Sequence, residues 1–334
     1  MTDTVDQALV IDGLTISYPG SPAAVSGLDL RLEPGEIIGV IGESGCGKSS
    51  LGLALLGLLP ASTQVSARRM EVAGHDYIGL GDAALQEIRG EDVSMVFQEP
   101  MNALNPVMRI GDQIAEVLRL HGQSDRKRID ARVLELLRLV QVPEPQLRVR
   151  QFPHQISGGM RQRVVIAIAM AAEPRVLVAD EPTTALDVTV QAQILALLAD
   201  LRDRTGTAIV LISHDLGVIA RVCDRVVVMY AGEIIEAGHP RDVLRSPGHP
   251  YTQGLLASIP SVSREPRAAL PAIPGGVTTA DRSRTGCRFA GRCSYVEPEC
   301  HEPQPLFEVT GRSSQQVRCL LTPRRETSSV EGVA

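Results

Sequence analysis

The sequence predicts an α/β fold on a mostly parallel sheet, with a helical insert near residues 99–173 and a small loop-rich appendage. Three observations carry this. Short β-branched apolar runs alternate with helical patterns from residue 9 to about residue 245. One such run, residues 37–41, leads at once into a glycine-rich loop and then an apolar helical segment. Past residue 245 Pro and Gly recur, at Pro247, Gly248, Pro250, Pro260, Pro266, Pro271, Pro274, Gly275 and Gly276. Two regions follow, 1–245 and 246–334, the second too short of apolar residues to hold its shape by burial alone.

In chain order, residues 9–11, 14–17 and 28–32 read as strands, separated by Asp12-Gly13 and Pro19-Gly20. Pro34-Gly35 is a turn. Residues 37–41 are apolar except for Gly39, as expected of a strand buried on both faces. Residues 49–59 continue as a helix ending near Pro60, and Met95-Val96-Phe97 is a further apolar run. Ile114, Val117, Leu118 and then Ile129, Val133, Leu136, Leu137, Val140 recur at three- and four-residue steps, the helical period. Ser157 suits the N-cap of the next helix. Residues 176–179 and 208–212 read as buried strands, 190–201 as a helix, and 226–229 with 233–236 as a closing strand pair. The tail from Thr322 is polar, and no segment repeats.

Composition narrows the function. The 44% hydrophobic content of 334 residues supports a sizeable core. A net charge of −6, 3% aromatics and no Trp argue against nucleic-acid binding. The N-terminus, MTDTVDQALV, lacks the basic-then-apolar pattern of a signal peptide. The longest apolar stretches, 51–59 and 164–172, fall short of a membrane span. A cytosolic chain is expected, and any membrane role would need partner subunits.

Gly42-Glu43-Ser44-Gly45-Cys46-Gly47-Lys48-Ser49 matches G-x-x-x-x-G-K-[ST] between a strand and a helix, the context of a phosphate-binding loop. Its N–H groups can converge on phosphate oxygens, and the helix that follows adds its positive end. Lys48 is expected to reach the β- and γ-phosphates, the Ser49 hydroxyl to ligate Mg²⁺, and Ser50 to bond the α-phosphate. Residues 176–181, VLVADE, form a strand ending in two carboxylates. Asp180 is expected to hold Mg²⁺, directly or through water, and Glu181 to act as general base on the attacking water. His214, after the strand 208–212, could donate to the γ-phosphate and orient that water; a satisfied surface histidine is the alternative. Of six cysteines, Cys287, Cys293, Cys300 and Cys319 crowd the C-terminal region, which in a reducing compartment suggests a metal more than disulfides. Four thiolates with no open position suit an iron–sulfur cluster or structural zinc, and His301 is a weaker ligand candidate.

Ser157-Gly158-Gly159-Met160-Arg161-Gln162-Arg163 lies between the phosphate loop and Asp180-Glu181. With Tyr18, Gln98, Ala185-Leu186-Asp187 and His214 in this order, the chain closely resembles the nucleotide-binding subunits of ATP-binding-cassette (ABC) transporters over residues 1 to about 245. Finer segments resemble the oligopeptide/dipeptide importer branch. They are residues 97–106 (FQEPMNALNP), 153–163 (PHQISGGMRQR), 183–191 (TTALDVTVQ) and 249–256 (HPYTQGLL). Ile156 departs from the usual Leu, and Met160 from the general Gln, though Met is usual in this branch.

The resemblance implies a P-loop NTPase fold: a RecA-like core with an antiparallel β subdomain and a helical subdomain, plus the C-terminal extension. It implies ATP and Mg²⁺ as ligands and Tyr18 as the aromatic against adenine, with a packed strand-end tyrosine as the alternative. Gln98 would contact Mg²⁺ and the water. Ser157, Gly158, Gly159, Met160 and Asp187 would serve nucleotide binding, the first four capping ATP held by a second subunit. In this branch the extension can carry a [4Fe–4S] cluster on four cysteines. The implied protein is an ATPase on the cytoplasmic face of the cell membrane, powering uptake of di- or oligopeptides. Its partners would be a second ATPase subunit, a paralogue by expectation, two transmembrane permease subunits and, indirectly, an extracytoplasmic binding protein. Rival readings are the same machine importing nickel, glutathione or haem, and a soluble ABC ATPase of translation or DNA repair.

Overall fold

The computed structural model describes residues 7–98, 103–184, 186–258, 273–309 and 312–322, less the side chains of 312–314. Residues 99–102 of the FQEPMNALNP segment, Ala185, Pro260, Pro266, Pro271 and the polar tail beyond Thr322 lie outside them.

Two sheets form the frame. In the first, β1 (Leu9–Ser17) pairs antiparallel with β2 (Val25–Leu32). The sequence predicts two strands here, but Asp12-Gly13 is a bulge inside one. The Gly13 N–H bonds the Asp29 carboxylate across the pair (2.6 Å), and the register slips between Ile11 and Leu14. β3 (Ile37–Ile41) and α1 (Lys48–Leu55) follow. The helix ends before the predicted Pro60, because the Leu58 N–H turns back to the Leu53 carbonyl (2.9 Å). Three short strands, β4 (Gln64–Ser66), β5 (Arg69–Val72) and β6 (His75–Asp76), complete the antiparallel sheet.

After α2 (Asp82–Ile88) the chain enters the second sheet at β7 (Val93–Val96). The helical layer is α3 (Ile110–Leu120), α4 (Arg126–Leu139), the single turn α5 (Pro145–Arg148) and α6 (Gly158–Ala169). β8 (Val176–Asp180), α7 (Val188–Thr205), β9 (Ala208–Ile212), α8 (Leu216–Val222), β10 (Arg225–Tyr230) and β11 (Glu233–Gly238) follow. Strands β10, β3, β9, β8 and β7 run parallel in that order, and β11 closes the pair with β10 antiparallel, as predicted.

The β3 residues divide between two cores. Ile37 and Ile41 join Ile114, Leu136, Val164 and Ile194 of the helices. Ile38 and Val40 join Leu9, Leu14 and Leu51. Burial on both faces is the state the unbroken apolar run predicts. Gly39 interrupts it because a Cβ there would stand 2.7 Å from Ile219 and 3.0 Å from the Cys223 sulfur. Among the described residues no helix is long and apolar enough to cross a membrane.

The extension is not a separate appendage. After α9 (Pro240–Arg245), which ends at the expected boundary, it contains α10 (Pro250–Ala257), α11 (Thr279–Arg282) and two strands, β12 (Phe307–Val309) and β13 (Arg312–Val317). β13 pairs with β11 and so adds β12 and β13 to the main sheet, which reaches eight strands. Tyr251 and Phe289 pack edge-on against Tyr230, with ring centroids 4.7 and 5.3 Å away. Strand pairing and ring contacts thus cross 245/246.

Glu236, fully buried on β11, ties this junction. Its carboxylate accepts from the N–H groups of Gly248 (2.8 Å) and His249 (3.0 Å) and from the Gln315 amide (2.7 Å). Burial pushes its carboxyl up, against the pull of these donors. Glu236→Ala would leave three donors without their acceptor, each costing about 1–3 kcal/mol if it stays unsatisfied. We expect a loss of about 3 kcal/mol in chemical denaturation; a variant as stable as wild type would show that the junction does not depend on this carboxylate.

Candidate functional site

Parallel pairing sets the C-terminal ends of four strands side by side. Val40 of β3 and Asp180 of β8 both pair with Ile212 of β9, and Ala179 pairs with Val96 of β7. The segments leaving these ends carry the phosphate loop, His214, Glu181 and Gln98. They open on one cavity of about 360 Å³. Gly42, Ser44, Gly45, Gly47, Lys48, Ser49 and Ser50 line it with Gln98, Glu181 and His214, joined by Tyr18 and Ala24 beside the antiparallel sheet. A ligand-sized crevice at the carboxyl ends of parallel strands is the usual site position in such sheets.

The loop is shaped by close backbone approach. A Cβ on Gly42 would meet the Met229 carbonyl at 2.3 Å, and one on Gly47 the Ala24 carbonyl at 2.5 Å. No side chain caps α1 at Gly47, so its first N–H groups are free for an anion. Lys48, buried, folds back over the loop and donates to the carbonyls of Gly42 (2.7 Å) and Glu43 (3.0 Å). Tyr18 Oη and Ser50 Oγ share a hydrogen bond of 3.0 Å, which fixes the tyrosine at the rim.

Asp180 is buried behind Ser49 rather than on the cavity wall. Burial raises its carboxyl, and the neighbouring Glu181 adds to this, against a hydrogen bond from Ser49 and the charge of Lys48. Glu181 is the hub. Its Oε2 accepts from Gln98 Nε2 (2.9 Å) and Thr184 Oγ1 (2.9 Å), and its Oε1 lies 3.3 Å from His214 Nδ1. Its backbone takes a left-handed φ of 48°, which costs about 1–2 kcal/mol in a non-glycine residue. The main chain holds it there through Glu181 N–H to the Ile212 carbonyl (2.9 Å). Partial burial raises the carboxyl. The bonds from Thr184 and His214, with the charges of His214 and Lys48, outweigh burial and leave it below the ordinary glutamate range.

Several expected residues lie elsewhere. Glu43 does not face the cavity: its N–H is spent on Tyr251 Oη (2.8 Å) and its carboxylate on Arg292 (2.7 and 3.0 Å). Cys46 points inward, its sulfur 3.7 Å from Lys48 Nζ. Ser157, Gly158, Gly159 and Met160 are absent from the cavity wall. Ser157 caps α6 by accepting from the Met160 N–H (3.4 Å), as predicted. Asp187 is likewise outside the cavity, capping α7 through the Val190 N–H (2.9 Å). Thr184 and Arg282 were not expected at the site, since a threonine three residues past a carboxylate and an arginine in a loop-rich region carry no distinctive pattern.

All four C-terminal cysteines are free. The Cys287 thiol is pushed up to about 12, first by burial, with contributions from Cys319, Cys300 and Cys293. The thiols are therefore neighbours, and the Cys287 N–H bonds the Cys300 carbonyl (2.8 Å). Yet among the described residues no three His, Cys, Asp or Glu are arranged to hold a metal ion. Among the described residues the four thiols are neighbours without such an arrangement, and no step below passes through a [4Fe–4S] cluster or zinc.

Glu181 is accordingly expected to titrate below 4.5, the ordinary value, and so to be fully ionised at neutral pH. His214→Ala removes a donor and a charge that depress it, so the midpoint should rise. Carbon-13 NMR of glutamate-labelled chain, assigned with Glu181→Gln, reads both; a wild-type midpoint above 4.5 would contradict this geometry.

The family model described as ABC transporter matches residues 25–184. The model described as oligopeptide/dipeptide transporter, C-terminal region, matches residues 235–300. The chain is 45% identical to the oligopeptide transport ATP-binding protein OppD of Bacillus subtilis (strain 168) over 311 residues, 92% of this chain and 87% of the relative. It is 43% identical to the dipeptide transport ATP-binding protein DppD of the same organism over 330 residues, 98% of each. Among solved structures it is similar to the ATP-binding cassette MJ0796, a dimer in a post-hydrolysis state bound to ADP and Pi. That likeness has a TM-score of 0.61 and 26% identity over 70% of this chain and 99% of the other. With likeness of this degree running through cassette and extension alike, the chain belongs to the ABC transporter ATP-binding proteins of the oligopeptide/dipeptide family and is an ABC transporter ATPase.

Proposed function

We propose that this chain is the peripheral ATPase of an importer that takes di- and oligopeptides across the cytoplasmic membrane. One observation carries the mechanism: the cavity gathers the phosphate loop, Gln98, Glu181 and His214 but excludes Ser157–Met160. A chain whose own capped helix is outside its own site suits a site shared with a second ATPase subunit. The dimeric form of the MJ0796 cassette supports this. Cargo follows from the relatives, which are named for oligopeptide and dipeptide transport, and from the C-terminal match. Residues 1–245 supply the cassette in this reading and 246–334 the extension.

In the proposed cycle Lys48 leaves the carbonyls of Gly42 and Glu43 for the β- and γ-phosphates, and the open N–H groups of α1 receive phosphate oxygens. Tyr18 meets the adenine. The oxygens of Ser49, Gln98 and, behind them, Asp180 suit Mg²⁺, a hard cation that when bound neutralises phosphate charge. Glu181, ionised, takes the proton of the attacking water. His214 turns from Glu181 to the γ-phosphate and holds the water in line. Ser157–Met160 of the partner close the site from the far side.

Closure is relayed to two transmembrane permease subunits, served from outside by a binding protein. Val107 and Leu120, 80% and 78% exposed beside the helical layer, suit the face on which membrane-subunit helices dock. No nucleic acid is involved.

In the assembled transporter, Glu181→Gln should bind MgATP normally and lose at least about 100-fold in turnover, the usual range for a general base. Ser157→Arg should bind ATP in the free chain yet stall the complex, and the free chain alone should be a poor ATPase. A demonstrably monomeric chain turning over at the rate of the complex would end the shared-site reading.

A further inference from the structure

We propose that Arg282 is a further nucleotide-binding residue, a cation that the C-terminal extension delivers to the polyphosphate of ATP. The proposal rests on the reading of the cavity as the ATP site and adds to it a residue from outside the cassette.

Arg282 closes α11 and lines the cavity together with Ser44, Gly45 and Lys48. It lies 237 positions along the chain from Gly45, whose carbonyl accepts a hydrogen bond from its Nη2. A guanidinium has five N–H donors. This is the one side-chain bond of Arg282 among the described residues, and no carboxylate there pairs with it. A neutral carbonyl is a weak partner for this cation. A phosphate entering the same cavity offers two oxygens in the geometry that a guanidinium fork fits, with charge on both sides.

The contrast with Arg292 sharpens the assignment. Arg292 gives its donors to both oxygens of Glu43 (2.7 and 3.0 Å) and to the carbonyls of Pro274 (2.7 Å) and Gly275 (3.1 Å). It is a satisfied clamp. Together with Tyr251 Oη, which takes the Glu43 N–H, it pins the extension against the back of the phosphate loop.

The short helix bearing Arg282 is itself fixed. The Thr278 N–H (2.9 Å) and hydroxyl (2.7 Å) both donate to the Asp281 carboxylate, which is buried. One arginine is thus consumed in anchoring the extension. The other is held over the open side of the loop with donors to spare. Among the lining residues Lys48 and Arg282 are the permanent cations, and a nucleoside triphosphate with several negative charges needs more than one.

The exchange this implies is local. The guanidinium leaves the Gly45 carbonyl and takes phosphate oxygens as Lys48 leaves the carbonyls of Gly42 and Glu43. Nucleotide then bridges the loop and the extension, so each stabilises the other.

The test is equilibrium binding of MgATP to the purified full chain by calorimetry, with unfolding of the nucleotide-free protein followed in parallel. Arg282→Ala should raise the Kd about ten-fold, the loss expected of a charge-assisted hydrogen bond at a partly exposed site. Arg282→Lys should recover most of it, and neither should lower the nucleotide-free midpoint. Affinity within two-fold of wild type for Arg282→Ala, while Lys48→Ala abolishes binding, would overturn the role of Arg282 and leave the ATP site standing. A loss that appears only with a destabilised nucleotide-free protein and is not recovered by lysine would overturn it too. Failure of wild type to bind MgATP, or unimpaired binding by Lys48→Ala, would instead remove the ATP site and this proposal with it.

Discussion

The parallel hydrogen-bond ladder of β3, β9, β8 and β7 is the constraint on which the site depends. Each strand is buried, so its register is fixed by packing on both faces. The ladder places Val40, Ile212 and Asp180 in one row of paired partners, with Ala179 and Val96 paired one residue back. What the chain does beyond that row decides the chemistry. Glycines follow β3, an acid pair straddles the end of β8, a histidine lies two residues past β9, and an amide lies two past β7. No long side chain has to reach far. The left-handed turn at Glu181 is the local cost of aiming its carboxylate at the cavity instead of along the strand.

Much of this was legible because it is local. Residues 37–49 carry a strand, a turn that tolerates only glycine at two contacts, and a helix start in one stretch. The Ser157 cap and the Asp180-Glu181 pair were likewise legible from neighbours in sequence. What was hidden depends on distant partners. β13, RSSQQV, has no apolar alternation that announces a strand; it forms because the edge of β11 is available and Val317 finds Glu236 opposite. Tyr251 and Arg292 reach Glu43 across 208 and 249 residues, and nothing near either position in sequence predicts it. The cysteine spacing showed thiols that could meet. It could not show that burial would push the Cys287 thiol up.

Two carboxylates ahead of the extension tie it down, in different ways. At Glu236 one carboxylate gathers three donors from two segments, so polar groups at the junction are satisfied within the protein. At Glu43 the carboxylate is paired in two-pronged fashion, and its partner Arg292 lies near the rings of Tyr230 and Phe289, 5.7 and 5.8 Å from their centroids. Removing either acid strands its partners. The loop that must bend around phosphate is thereby backed by bonded structure of the extension.

The clamp on Glu43 also bears on the order in which the protein is made. Glu43 is synthesised 249 residues before Arg292. At translation rates of about 5–20 residues per second, that gap is about 12–50 s. The core strands that shape the loop are complete by β10, before the extension exists. A nascent chain therefore carries its phosphate loop exposed on the side that the extension later covers. The final stretch of synthesis, not the first, sets the finished form of the nucleotide site.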